Sequence, residues 1–319
     1  MHYIVFDLEW NQCPEGKEKE EKGLPFEIVE IGAVKLDENF RLVDTFHTMV
    51  KPQVYRWIHE KTREVIHLDY KNLLNGLLFP RAVTGFLKWC GEDRRFCTWG
   101  DLDLLELQRN MKYYNILGLL PGPVIYYDVQ KLFGIYCGEK EPRRSLQYAM
   151  ETMGIECKMT LHRALVDAWY TGEVMKRLKN QMVPENSSID VYQNPKRKPE
   201  EITVSYGNKV KFISREFASK ERALREKGML NVICPICQKP VKKKIRWFAV
   251  NARRYVCVSS CPRHGLMKGK IRFKSTDEKK YYVIKTIELT DKKEAKRIQE
   301  KQESRRPAVL GRQSPRATP

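Results

Sequence analysis

The sequence predicts an α/β domain, a mixed five-stranded sheet flanked by helices, followed by a small β unit organised around a metal. Three observations carry this prediction. Three β-rich runs open the chain, strand-like and helix-like apolar patterns then alternate to about residue 180, and four of the nine cysteines crowd into Cys234–Cys261. Early strands followed by alternating helices and strands describe an α/β layer structure, and 319 residues are enough for one ample core plus a second, smaller unit.

The first run, YIVFDLEW at Tyr3–Trp10, is apolar at Ile4, Val5, Phe6 and Leu8, as expected of a strand covered on both faces. EIVEIGAVKL from Glu27 and FRLVDTFHTMV from Phe40 extend the sheet, with the charged stretch Pro14–Gly23 as a solvated connection. FCTW at Phe96–Trp99 is the fourth strand and runs into a helix marked by Leu102, Leu105, Met111 and Ile116. VIYYD from Val124 is the fifth, and SLQYAMETMG and LHRALVDAWYTGEVMKRLKN carry helical periodicity. This domain is assigned to residues 1–182. Residues 183–213, with three Pro and the triplet Lys196–Lys198, read as a linker. Residues 214–290, entered through a charged helix around Arg215–Lys227, form the cysteine-bearing unit, and 291–319 read as a disordered basic tail.

Charge divides sharply between these parts. From residue 185 onward, 34 Lys and Arg face 14 Asp and Glu, a net of +20, which leaves −1 for residues 1–184 out of the whole-chain +19. Such clustering is the footprint of a polyanion-binding surface. No apolar run of about 18 residues exists to span a membrane, and Met1–Asn11 passes directly into an acid-bearing strand without a leader pattern. A cytoplasmic protein without a membrane partner is expected, with reduced thiols and one metal site in place of a disulfide framework.

Two carboxylates, Asp7 and Glu9, lie within the first strand. Positions two apart share a strand face, so a cation is needed to compensate two side-by-side anions. Asp103 could be only a first-turn helix acid, with Asp101 as N-cap. Asp167 falls on one stripe with Ala164, Ala168, Thr171, Met175 and Leu178, and an acid on a core-facing stripe must be paired or bind metal. His2, His47, His59 and His67 belong to no constellation and read as surface or packing residues.

The blocks FDLEW, WGDLD and LHRALVDA, in this order, resemble the three sequence blocks of the DEDDh branch of the 3′-5′ exonucleases, which share an RNase H-like fold. The resemblance covers about residues 1–180 and places the family's acids and histidine at Asp7, Glu9, Asp103, His162 and Asp167, with Asp101 a rival for Asp103. It implies two Mg²⁺ or Mn²⁺ ions held by Asp7, Glu9, Asp103 and Asp167, oxygen ligands that suit hard cations, and His162 as general base toward the attacking water. Trp10 and Asn11, which follow immediately, are candidate contacts to the terminal nucleotide, with Trp10 equally readable as a core residue. The W-G-x-x-D form of the second block resembles the subgroup that includes RNA-processing exonucleases, so single-stranded nucleic acid, RNA first and DNA second, is the expected partner. The alternatives are a DNA-trimming or repair exonuclease and a binding module with an inactive nuclease domain, the latter disfavoured because all five catalytic positions are filled.

In the C-terminal part, Cys234-Pro-Ile-Cys237 and Cys261-Pro-Arg-His264 are two C-P-x-[CH] turns of zinc-ribbon form, separated by 23 residues that read as a hairpin around Asn251–Arg253. Cys₃His around one structural Zn²⁺ is a common combination. The rival fourth ligand is Cys257. Around the knuckles, Lys242–Lys244, Arg246, Arg253, Arg254 and Lys268–Lys274 mix with Trp247 and Tyr255, a mixture suited to holding single strands by charge and stacking. A protein partner recruited through the ribbon is the other expectation.

Overall fold

The computed structural model describes residues 1–66, 73–138, 143–183 and 186–305, so His67 and the last 14 residues of the expected tail lie outside the described residues. The chain forms two compact units, Met1–Gln193 and Asn194–Pro319.

In the first unit, β1 (His2–Gln12), β2 (Phe26–Leu36) and β3 (Leu42–Met49) form an antiparallel meander. β4 (Arg94–Thr98) and β5 (Val124–Asp128) add parallel to β1, and β6 (Ser188–Asp190) closes the far edge antiparallel to β5. The order β3-β2-β1-β4-β5-β6 gives six strands where five were expected. Along β1 the even positions Ile4, Phe6 and Leu8 pack under α2 (Phe79–Cys90) and α3 (Leu102–Tyr113). The odd positions Tyr3 and Val5 pack under α4 (Val129–Tyr136), α5 (Leu146–Thr152) and α6 (Ala164–Arg177). A short helix, α1 (Glu60–Ile66), follows β3.

One glycine sets how closely α6 approaches the sheet. A Cβ built on Gly32 of β2 would meet Leu165 N at 2.0 Å and Ala164 C at 2.2 Å, both backbone atoms. Gly32 pairs with Asp7 across β1 and β2, so the first turn of α6 lies directly over the acid-bearing segment.

The second unit is one antiparallel sheet in the order β7-β8-β12-β11-β10-β9. Its strands are β7 (Ile202–Tyr206), β8 (Lys209–Ile213), β9 (Lys242–Asn251), β10 (Arg254–Cys261), β11 (Gly265–Ser275) and β12 (Tyr281–Leu289), with α7 (Lys220–Arg225) before β9 and α8 (Lys292–Glu303) after β12. Strand alternation sorts the two faces. One face buries Cys257, Met267, Ile271, Phe273, Val283 and Ile287 against α7 and the segment that follows it. Gly269 is required there, because a Cβ would meet Cys257 Sγ at 2.4 Å and the Trp247 ring at 2.7 Å. The other face presents Val256 and Val258 to α8 and carries Lys268, Lys270 and Arg272.

Three expectations need correction. The segment 183–213 is not a free linker: β6 pairs with β5, and β7 and β8 form a hairpin whose turn places Gly207 at φ +61°. Residues 292–303 are helical, capped by the Asp291 carboxylate that accepts from Glu294 N at 2.6 Å and anchored by buried Ile298. Trp247 and Tyr255 do not share the cationic face; they pack beneath α7, where Trp247 Nε1 donates to Leu230 O at 2.8 Å.

Candidate active site and metal-binding cluster

The carboxylates of Asp7, Glu9 and Asp167 lie with one oxygen each within 4.8 Å of one another. β1 supplies the first two on the face beneath α6, and the close approach at Gly32 brings Asp167 down onto them. Asp103 joins from the opposite helix layer. β4 pairs only with His2–Val5, so the Leu8 amide lies beyond that ladder and donates to Asp103 Oδ1 at 3.2 Å. Asp103 is buried at 4% exposure. Asp101, its rival, points away and pairs with the Arg143 guanidinium at 2.6 Å, so the second block contributes Asp103 to the cluster.

Burial and mutual repulsion make this cluster costly without a counter-charge. Burial, then Asp103, Glu9 and Asp167, hold the Asp7 carboxyl well above its ordinary range. Burial and neighbouring carboxylates push Glu9 up to about 8, burial takes Asp103 to about 7 against the opposing Leu8 amide, and burial raises Asp167 as well. The donor set is all oxygen, clustered and short of positive charge, which fits hard divalent cations.

His162 stands at the entrance to α6 with its side chain exposed, in a left-handed conformation at φ +68°. The Asp167 carboxylate holds this turn by accepting from His162 N at 2.8 Å and Arg163 N at 3.2 Å. The five-residue spacing of H-x-x-x-x-D therefore has a physical meaning: the Asp caps the turn that presents the His.

The sequence reading missed Glu30. It lies buried opposite Glu9 on β2, accepts Arg163 Nε at 3.2 Å and Nη2 at 3.1 Å, and meets His47 Nε2 at 2.7 Å. Burial alone would raise this carboxyl, yet the bonds from His47 and Arg163 lower it overall. His47 is thereby a partner of a buried acid and not a plain surface residue. No local pattern links residues 30, 47 and 163.

Asn11 is a correction. It is fully buried and its amide is consumed by backbone: Nδ2 donates to Tyr55 O at 3.1 Å and Trp57 O at 2.8 Å, and Oδ1 accepts from His59 N at 2.9 Å. It pins the loop 55–59 beside the end of β1 and has no group left for a nucleotide. Trp10 is half-buried, its ring 5.6 Å from that of Phe26. The large aromatic exposed on the pinned loop is Trp57, 73% accessible.

In the second unit, Cys234, Cys237, Cys261 and His264 form the other compact group. A tetrahedral ion about 2.3 Å from sulfur and about 2.0 Å from nitrogen sets S···S edges of about 3.8 Å and S···N edges of about 3.5 Å. The observed separations are 3.8 Å for Cys237 and Cys261 Sγ, and 3.4 and 3.6 Å from His264 Nδ1 to Cys234 and Cys261 Sγ. Burial would raise the Cys261 thiol, but the Arg263 and His264 amides and the His264 ring bring it down to about 6, toward the thiolate a metal takes. Cys257 lies outside the group, its sulfur against Gly269 and the Trp247 ring.

The profile of the family described as Exonuclease (RNase T) matches residues 4–175. Among curated proteins, none matches the sequence. Among solved structures, the nuclease domain of 3′hExo, a DEDDh family member bound to rAMP, is similar at TM-score 0.50 and 18% identity over 59% of this chain and 96% of that one. A 3′-exonuclease recognising a histone mRNA stem-loop gives 0.49 and 17% over 59% and 84%. Exonuclease I of E. coli, in complex with a dT13 oligonucleotide, gives 0.45 and 13% over 70% and 57%. By the family match, which spans more than half of its residues, the chain belongs to the exonuclease family.

Proposed function

We propose that this exonuclease removes nucleotides from the 3′ end of single-stranded RNA and releases nucleoside 5′-monophosphates, with a zinc-stabilised second unit as an added nucleic-acid-binding part. The observation that carries the reading is the grouping of the Asp7, Glu9 and Asp167 carboxylates within 4.8 Å of one another, with buried Asp103 held beside them on the Leu8 amide and an exposed imidazole at the edge. Two Mg²⁺ or Mn²⁺ ions bound by these acids would acidify the attacking water and stabilise the leaving 3′-oxygen. His162 takes the proton from that water, a task suited to imidazole near neutral pH. Arg163, clamped on Glu30, anchors the turn that carries His162. The exposed indole of Trp57 offers a stacking surface for a base, a sequence-tolerant contact.

RNA is preferred on the W-G-x-x-D form of the second block, Trp99 to Asp103, and the rAMP-bound 3′hExo domain is a ribonucleotide precedent for the fold. The Cys₃His group fits one structural Zn²⁺ whose binding supplies folding free energy to a small segment. The test is one gel. With 5′-labelled RNA and DNA of identical sequence and Mg²⁺ or Mn²⁺, a ladder shortening from the 3′ end is expected, faster on RNA. A faster DNA ladder would make this a DNA-trimming enzyme, and no ladder on either would overturn the reading.

A further inference from the structure

The second unit separates its charges. Five of its carboxylates pair with one group of cations: Glu216 with Lys196 and Lys280, Glu201 and Glu226 with Arg215, Glu200 with Arg197, Glu278 with Lys280. Glu294 of α8 takes Lys268. At the other end of the α8-bearing face, the β9–β10 turn and the facing part of β11 line a groove of about 480 Å³ with Arg253, Arg254, Arg272 and Lys274. Arg254 pairs directly with Arg272 across β10 and β11, and Val256 with Lys270, so Arg254, Arg272 and Lys270 share one face in adjacent rows. Among the described residues, none of these five cations has a carboxylate within ion-pair distance.

Directly opposed like charges destabilise a sheet, and such an arrangement has no internal reason to persist. Lys270 registers the repulsion: burial first, then Arg272, Arg254 and Lys268, push its ammonium below the ordinary lysine range. Three guanidiniums around one groove are suited to planar, bidentate contact with phosphate oxygens.

We infer that the groove of Arg253, Arg254, Arg272 and Lys274, continued by Lys270, is a track for the phosphate backbone of the nucleic-acid strand, separate from the carboxylate centre. This inference rests on the proposed nuclease function. It differs from the sequence expectation in dispensing with base stacking, because Trp247 and Tyr255 lie on the opposite face of the sheet. Contact is with phosphate alone and is indifferent to base. An anionic membrane is the less suitable occupant: among the described residues of this unit, the exposed large apolar ones, Ile233 and Ile236, are on the first knuckle and not among the groove-lining residues.

The test uses full-length protein with Arg253, Arg254 and Arg272 all changed to Gln, beside the same three changed to Lys. Binding of a fluorescent 20-nucleotide single strand is measured against salt in an Asp7→Asn background, which keeps the strand intact. Turnover of a trinucleotide is measured with Asp7 retained. Each phosphate contact on a single strand contributes about 0.7 to the slope of log K against log salt. The Gln triple is expected to lose about 2 from that slope and at least about tenfold in affinity at low salt, while trinucleotide turnover and zinc content stay at wild-type values and the Lys triple keeps most of the slope. An unchanged slope in a folded, active Gln triple overturns the groove and leaves the nuclease intact. Retained oligonucleotide binding with lost binding to phosphatidylserine vesicles would assign the groove to membranes and also overturn it. Failure of wild-type protein to degrade RNA or DNA is the separate failure of the nuclease reading.

Discussion

Gly32→Ala should disable the enzyme without unfolding it. The added Cβ would sit 2.0 Å from Leu165 N, 2.2 Å from Ala164 C and 2.5 Å from Leu165 Cα. All three are backbone atoms, so no rotamer change relieves the clash. Restoring ordinary contact at 3.4 Å requires a shift of at least 1.4 Å between α6 and β2. The first turn of α6 carries Asp167 and is preceded by His162, so both move away from Asp7, which pairs with Gly32. A misplacement of about 1 Å can cost about 10²-fold in rate, and overpacking typically costs about 1–3 kcal/mol. At the upper figure, a unit of this size loses about 6–12 °C in Tm. The assay is turnover of a short oligonucleotide at saturating Mg²⁺ beside thermal melting: a fall in kcat of about 10²-fold or more in a folded protein is expected. A variant with wild-type kcat would refute the argument that this contact sets the cluster's geometry.

Asp7→Asn should abolish cleavage yet raise Tm when divalent ions are withheld, because it removes one anion from a buried, mutually repelling set; substantial turnover by this variant would remove Asp7 from the metal site. Without Mg²⁺ or Mn²⁺, stability should fall as pH rises. Glu9 and Asp103 titrate near 8 and 7 in the fold against ordinary values of 4.5 and 3.8, so the folded state binds more protons across that interval and the loss runs from about pH 4 to about pH 8. Melting curves across this range check the sign, and bound divalent ions should flatten the profile. His162→Ala should lower kcat by about 10²–10⁴-fold with little change in oligonucleotide affinity; a variant that unfolds would make His162 structural. His264→Ala should lose zinc and Cys257→Ala should retain it, as metal analysis of the purified variants will show, and the opposite pattern would make the site Cys₄.

Three of the clustered acids stand out in the sequence because each breaks a local rule, whereas Asp103 fits an ordinary first helical turn and is singled out only by the family resemblance. Asp7 and Glu9 interrupt a strand apolar on both faces, and Asp167 stands on a core-facing stripe. What could not be read depended on contacts between distant segments. Glu30 is joined to Arg163 across 133 positions, and Asn11, next to the D-x-E, reads as a nucleotide contact by position alone, while its amide is taken by the loop 55–59. The short strand Ser188–Asp190 has too few residues to show a period, and only its pairing with β5 identifies it. The helix Phe79–Cys90 differs: Phe79, Ala82, Val83, Phe86, Leu87 and Cys90 recur at spacings of three and four around an N-terminal Pro80, a signal present in the sequence itself. In the second unit the mixture of cations and aromatics was visible, but its division between two sheet faces required the register, which slips in β9 beside β10.

The most direct test of the central claim is to count bound Mn²⁺ and zinc per chain, in the presence of nucleoside 5′-monophosphate, for wild-type protein and Asp7→Asn. If the carboxylates of Asp7, Glu9, Asp103 and Asp167 form the catalytic metal centre, wild-type protein binds Mn²⁺ and Asp7→Asn loses it, while zinc stays at one per chain in both. Equal Mn²⁺ in the two proteins, or none in either, would contradict the account.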